Sequence, residues 1–181
     1  MGTNAGNDYD GREEGWLQAL AAVGLPEGPI VRTPFTREGG YAAGKRLLAV
    51  ADRPTAIFAT SDLQAVGILR ALHEAGLSIP RDMAMASFDG SAEAEYSWPP
   101  LTTVKQPAKA MADAAVSALI GAHRGQDAEH LIFPAELQVR QSCGCPWGAG
   151  PRPAAPGRMP GAACPPCPAG RAGRRSPAPG R

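Results

Sequence analysis

At 181 residues the chain has room for one domain, and its formal charge of +1 conceals an uneven distribution. All 17 acidic residues lie between Asp8 and Glu136, against 12 Lys and Arg over Met1–Cys143, so that stretch carries about five net negative charges. An acidic body lacks the electrostatic footprint of a nucleic-acid binder. No run of eighteen apolar residues could span a membrane, and the first twenty residues, with Asp8, Asp10, Glu13 and Glu14, hold no signal-peptide core. These features predict a cytoplasmic chain with no membrane partner.

In chain order, strand and helix patterns alternate. Asp10-Gly11-Arg12-Glu13 resembles a capping box, and Trp16, Leu17, Leu20 and Val23 follow at helical spacing until Gly24 and Pro26 stop the helix. Pro29–Arg32 reads as a short strand. Thr36 is placed to cap a helix carrying Tyr41, Leu47, Leu48 and Val50. Thr55–Ala59 is a continuous apolar strand, of the kind found in a parallel sheet covered on both faces. Asp62 opens a helix through Val66, Leu69 and Leu72 that ends at Gly76. Met83–Phe88 is the next buried strand. The pattern predicts an α/β fold with a doubly wound parallel sheet built from Pro29–Arg32, Thr55–Ala59 and Met83–Phe88.

Pro99-Pro100 then force an extended path, Leu101–Val104 supply a short β-branched strand, and Gln106-Pro107 lead into a new helix. Met111, Ala115, Val116, Leu119 and Ile120 recur at three and four, giving that helix one apolar stripe before Gly121 and Gly125 end it. Leu131–Pro134 and Glu136–Arg140 read as two short extended pieces.

The segment 144–181 is different material. It has ten Pro, eight Gly and six Arg in 38 residues, with no Leu, Ile, Val or Phe, and cannot bury enough surface to offset the entropy of ordering. It is predicted to be a disordered tail, and its Arg, Gly, Pro, Ala bias is also what a shifted frame in GC-rich coding DNA would give. All four cysteines sit at this end: Cys143, Cys145, Cys164 and Cys167. Their spacing could in principle hold zinc, but Cys164-Pro165-Pro166-Cys167 is stiffened by two prolines, so no metal site is expected.

In open α/β sheets ligands sit at the carboxyl ends of the strands. Asp89 follows Met83–Phe88, Ser61-Asp62 follow Thr55–Ala59, and Phe35 follows Pro29–Arg32. Arg12 lies in the first turn of the first helix, which would follow a strand upstream. A carboxylate, a guanidinium, a hydroxyl and an aromatic face suit pairs of hydroxyls and an apolar ring face. Each also has a plainer explanation. Asp62 reads first as a helix N-cap, Phe35 as a core or surface aromatic, Asp89-Gly90 as a turn, and Arg12 as an exposed helix residue.

Taken together, the motifs resemble the LacI/GalR family of transcriptional regulators. Pro99–Gln106 resembles the PPLTTV-x-Q crossover that links the two lobes of that family's sugar-sensing domain. Arg12-x-x-Gly15-Trp16 resembles its R-x-x-G-[FW] motif. Phe35 with Gly39-Gly40-Tyr41 resembles its aromatic-x-x-x-x-G stretch. Thr55–Asp62, continued by Ala65-Val66-Gly67, resembles PTAIFAANDxxAxG. Gly76–Pro80 resembles GLxVP, Ser87-Phe88-Asp89 resembles GFDD, and Glu136–Ser142 resembles the closing ELVVRxS. The match runs from about Gly11 to Cys143, with Ser61 standing where the family has Asn and Gly90 where it has a second Asp.

The resemblance implies a periplasmic-binding-protein-like lobe. Arg12, Phe35, Ser61 and Asp89 would be the ligand-binding residues, and a sugar-like small molecule the effector. It implies a homodimer through Leu63–His73 and the loop 92–101, with Leu63, Val66, Tyr96 and Trp98 in the interface. Residues 1–143 would be a sensor fragment, with 107–134 the returning segment of a second lobe. The helix-turn-helix, the N-terminal lobe and a strand before Arg12 are expected to be missing. Operator DNA would then be bound only through an N-terminal domain absent here, and the chain alone would be marginally stable. The alternatives are a sugar-binding protein of a transport system and an inactive truncated product. An enzyme is not expected: His73, His123 and His130 are scattered, no nucleophile elbow or phosphate loop occurs, and nothing calls for a cofactor.

Overall fold

The computed structural model describes residues 10–125, 127 and 130–145. Met1–Tyr9, Cys164, Cys167 and nearly all of the tail expected to be disordered lie outside the described residues.

Helix α1 spans Gly11–Ala22, with Asp10 as its N-cap: the Asp10 side chain accepts from the Arg12 amide. The capping box closes only halfway. Glu13 does not reach back; its carboxylate takes both ends of the Arg32 guanidinium at 3.0 and 2.9 Å. Helix α2 (Arg37–Leu48) starts as expected on Thr36, whose hydroxyl accepts from the Gly39 amide. Strand β1 is Ala56–Phe58, and helix α3 runs Asp62–Glu74. Its N-cap is Ser61, accepting from the Gln64 amide, and not Asp62. The helix stops at Gly76, which takes φ +76. Strand β2 (Ala84–Asp89), a short helix α4 (Ala92–Tyr96), strand β3 (Thr102–Lys105), helix α5 (Ala108–His123) and strand β4 (Glu136–Gln138) complete the fold.

The sheet has the order β1-β2-β3-β4. The first two pairings are parallel, with Ile57 opposite Met85 and Phe88 opposite Val104, and β4 closes the sheet antiparallel to β3. The fold class is as expected, but Pro29–Arg32 is not one of its strands. Val31 is buried in the core, yet an apolar cleft lined by Trp16, Val31, Leu47, Ile57 and Ile68 separates this segment from β1. Pro29 also has no N–H to give to a ladder. Leu131–Pro134 is likewise outside the sheet.

The core gathers Val31, Leu47, Ile57, Ile68, Leu69, Leu72, Met83, Met85 and Leu101 between the strands and the α2–α3 pair. These two helices touch backbone to backbone. A Cβ on Gly40 would fall 2.0 Å from the Gln64 carbonyl oxygen, and one on Gly67 would fall 2.0 Å from that of Arg37. By contrast none of the residues of α5 is buried; Val116 is 56% and Leu119 72% exposed. The apolar stripe read from the sequence is present and largely exposed.

Gly40→Ala and Gly67→Ala should each cost about 1–3 kcal/mol or more, since the clash is with backbone that cannot rotate away. Gly15→Ala, in α1 with nothing within 4 Å of the added methyl, should stabilise by about 0.5–1 kcal/mol. Urea midpoints of the three variants check the signs.

Candidate functional site

The carboxyl ends of β1 and β2 hold the residues singled out in the sequence. The Arg12 guanidinium lies over two rings, 5.2 Å from the centroid of Phe35 and 5.5 Å from that of Phe88, a cation–π arrangement on both partners. Its Nη1 donates to the carbonyl of Thr60 at 2.8 Å, just past β1. Its Nε and Nη2 donate to the two oxygens of Asp10 at 2.8 and 3.2 Å. Burial by itself would push the Asp10 carboxyl up, but the hydrogen bonds and charge of Arg12 outweigh it and hold Asp10 below the ordinary carboxylate range.

Asp89 ends β2 with φ +121, in a region that side chains seldom adopt. Three bonds hold it there. The Asp62 amide donates to Oδ2 at 3.3 Å, Gln106 Nε2 donates to Oδ1 at 3.1 Å, and the Gln106 amide donates to the Asp89 carbonyl at 3.2 Å. Burial raises its carboxyl above the usual range and the charge of Asp62 adds to this, against the Asp62 amide, Arg12 and Gln106, which favour the ionised form. Gly90 follows at φ +74, and a Cβ there would lie 2.6 Å from Lys105, so the second acidic residue of the motif has no room in this conformation.

Arg12 and Phe35 are therefore in contact, and Asp89 and Ser61 stand on the two strand ends beside them. Ser61 is 5% exposed and its Oγ is used as the α3 cap. Asp89 also borders an open hollow with Lys105, Gln106 and the first turn of α5. Asp62 does something other than cap. Fully buried, it accepts from Ser87 Oγ at 2.6 Å, Thr103 Oγ1 at 2.8 Å and the Ser91 amide at 2.7 Å.

The periplasmic binding protein-like domain family model matches residues 1–143. The chain belongs to this family. Among its relatives, the HTH-type transcriptional repressor MelR of Bacillus subtilis is 41% identical over 126 residues, covering 69% of this chain and 36% of that protein. The repressor PurR of Klebsiella pneumoniae is 38% identical over 116 residues, covering 63% and 34%. The solved complex of the transcriptional regulator CelR with cellobiose superposes with a TM-score of 0.69 at 34% identity, over 72% of this chain and 41% of that one. A LacI-type regulator from Bacillus cereus gives 0.68 at 34% identity, over 73% and 48%. The chain thus spans about a third of the two curated relatives, and the similarity falls on the C-terminal sensing part of LacI-family regulators.

Within this family member, Leu63 and Val66 are half-buried on α3. Tyr96 and Trp98 are 85% and 80% exposed, so Trp98 does not cover the core of its own lobe. Asp10, Gln64, Phe88 and Gln106 were not picked out from sequence as site residues. Phe88 and Gln106 were at hand inside motifs already quoted. Gln64, a polar residue on a buried helix face, carries no local signal: its Nε2 donates to the carbonyls of Thr33 and Pro34, both at 3.1 Å, and so fixes the turn that carries Phe35.

A carboxyl with a raised folded pKa binds its proton more tightly folded than unfolded, so it costs stability above that pKa and the cost disappears as pH falls through it. Asp89→Asn should therefore raise the urea midpoint at pH 7. The gain over wild type should shrink to nothing below the unfolded value near pH 3.8.

Proposed function

We propose that the chain is the effector-sensing part of a LacI/GalR-type transcriptional regulator, and that Arg12, Phe35, Ser61 and Asp89 bind a sugar or related small polar molecule. The observation that carries this is the joining of Arg12, Phe35 and Phe88 at the strand ends next to a constrained, half-buried Asp89. Backbone strain held by several bonds is characteristic of binding sites. The rings offer an apolar face, while Arg12 and Asp89 offer a donor and an acceptor for hydroxyls. CelR, a relative by structure, is solved with cellobiose, which supports a carbohydrate effector.

In this reading the protein works in the cytoplasm, operator DNA is bound by a separate N-terminal domain, and the chain is not an enzyme. Residues 107–134 belong to a second lobe that covers the apolar stripe of α5. Titrating the purified chain calorimetrically with a panel of mono- and disaccharides and nucleosides should give saturable binding of at least one member. Phe35→Ala and Asp89→Ala should each weaken it by about tenfold or more, the scale of one lost charged hydrogen bond or ring contact. Heat from no panel member, or unchanged affinity in both variants, rejects the site.

The same reading makes the chain a homodimer through the outer face of α3 with Tyr96 and Trp98, whose exposed rings are the residue types that dominate interfaces. Sedimentation equilibrium should show a dimer that Trp98→Ala weakens at least about tenfold. An intact dimer in that variant removes Trp98 from the interface.

A further inference from the structure

We propose that Asp10 sets the charge selectivity of this site, so that it accepts an uncharged polyhydroxyl ligand and turns away the carboxylate or phosphate form of the same molecule. The inference rests on the ligand site proposed above. Its starting point is how Arg12 is used. A guanidinium has five N–H donors in a rigid fork. In this chain the Nε and Nη2 edge is taken by both oxygens of Asp10, and one N–H of Nη1 by the Thr60 carbonyl. Its Cζ lies over both neighbouring aromatic rings. Two N–H groups are left.

The side that binds an anion bidentately is thus already filled by an anion from the chain itself. Asp10 is no loose surface partner: its side chain is 7% exposed, against 29% for Arg12, and it is fastened a second time as the cap of α1. A surface ion pair would exchange with solvent or with a ligand at little cost; one held by burial and a cap does not. Asp10 is bonded to Arg12, and Asp89 stands nearby with the Asp62 amide bonded to it. Lys105 and Lys109 line the hollow that Asp89 borders, so the discrimination falls at Arg12 itself: an incoming carboxylate or phosphate finds the forked edge of the guanidinium already filled and the Asp10 charge beside it. A hydroxyl pair meets no such opposition. It can accept from the two remaining Arg12 donors and give its protons to Asp89, whose carboxylate retains acceptor capacity beside Asp62 N and Gln106.

Asp10 also acts on geometry. By gripping Nε and Nη2 it holds the guanidinium beside Phe35 and Phe88, so the orientation of the two remaining N–H groups is set before any ligand arrives. Asp10 is therefore a positioning and selectivity residue, acting through Arg12.

The test uses the full chain and matched probes: cellobiose with cellobionate, glucose with glucuronate and glucose 6-phosphate, and galactose with galacturonate. Calorimetric affinities are measured for wild type, Asp10→Asn and Asp10→Ser. The serine variant retains an N-cap oxygen, so it carries the comparison if the asparagine variant loses its helical circular dichroism. Wild type should bind a neutral member and discriminate against its anionic partner by about tenfold or more, and both variants should narrow that ratio by about tenfold. A wild-type chain that binds an anionic member as tightly as the neutral one overturns the inference without any variant. So does a ratio unchanged by either substitution, while leaving the ligand site itself standing. Absence of binding by every probe removes the site and this inference together.

Discussion

The carboxylate of Asp62 is the point on which this structure depends. It is fully buried, and a buried charge persists only when its oxygens are supplied with donors. The donors come from three places distant in sequence: Ser87 on β2, Thr103 on β3 and the Ser91 amide at the start of α4. One side chain thus ties the first turn of α3 to two neighbouring strands and to the turn after β2. Its position at the helix N-terminus adds the favourable end of the helix dipole. Because the Asp62 amide also donates to Asp89, the strained backbone of Asp89 is anchored to the same hub. Removing the carboxylate would leave Thr103 Oγ1 and the Ser91 amide without this acceptor and Ser87 Oγ with only its 3.4 Å contact to the Thr102 carbonyl, each unsatisfied donor costing about 1–3 kcal/mol.

Two further fasteners bring the remaining parts to this end of the sheet. Gln64, one helical turn from the Ser61 cap, reaches out of α3 to the Thr33–Pro34 turn and sets the position of Phe35. It can do so because α2 and α3 approach closely enough that Gly40 and Gly67 have no space for a side chain. At the other side, Ser142 donates to the Met85 carbonyl at 2.6 Å and accepts from the Thr102 amide at 2.8 Å, closing the chain back onto β2 and β3. The residues proposed to meet a ligand stand in the first turn of α1, before α2, at the cap of α3 and at the end of β2, and buried polar side chains hold those positions.

The periodic part of the fold was legible in the sequence. The apolar runs Thr55–Ala59 and Met83–Phe88 do contain strands, Ala56–Phe58 and Ala84–Asp89, but burial alternates along both, so the cover on both faces expected of unbroken apolar runs is not seen among the described residues; the stop at Gly76 follows from its left-handed backbone. Pro29–Arg32 failed as a strand because its composition is strand-like but its ladder partner is not beside it; pairing is a tertiary property that local pattern does not report. Asp89 was legible as a residue at a strand end; Phe35 came to notice at the end of a strand that does not form, and Arg12 as a first-turn residue of α1. The site was not legible as bonding. Nothing local says that Ser61 takes the cap and frees Asp62 for the interior, or that Asp10 closes on Arg12 two residues on. Those choices depend on which donors the fold carries to each carboxylate.

The crossover joins the proposed ligand site to the start of α5. Gln106 gives both its side-chain and its backbone N–H to Asp89, and two residues later α5 begins with Pro107 at its cap position. In the proposed binding mode a ligand hydroxyl donating to the Asp89 carboxylate stands beside Gln106 Nε2, which donates to Oδ1. Helix α5 leaves Met111, Val116, Leu119 and Ile120 exposed. A side chain of this size gains about 1.5–3 kcal/mol when fully buried, a large share of the 5–15 kcal/mol that separates folded from unfolded states. Whatever surface covers that stripe is therefore strongly coupled to the orientation of α5.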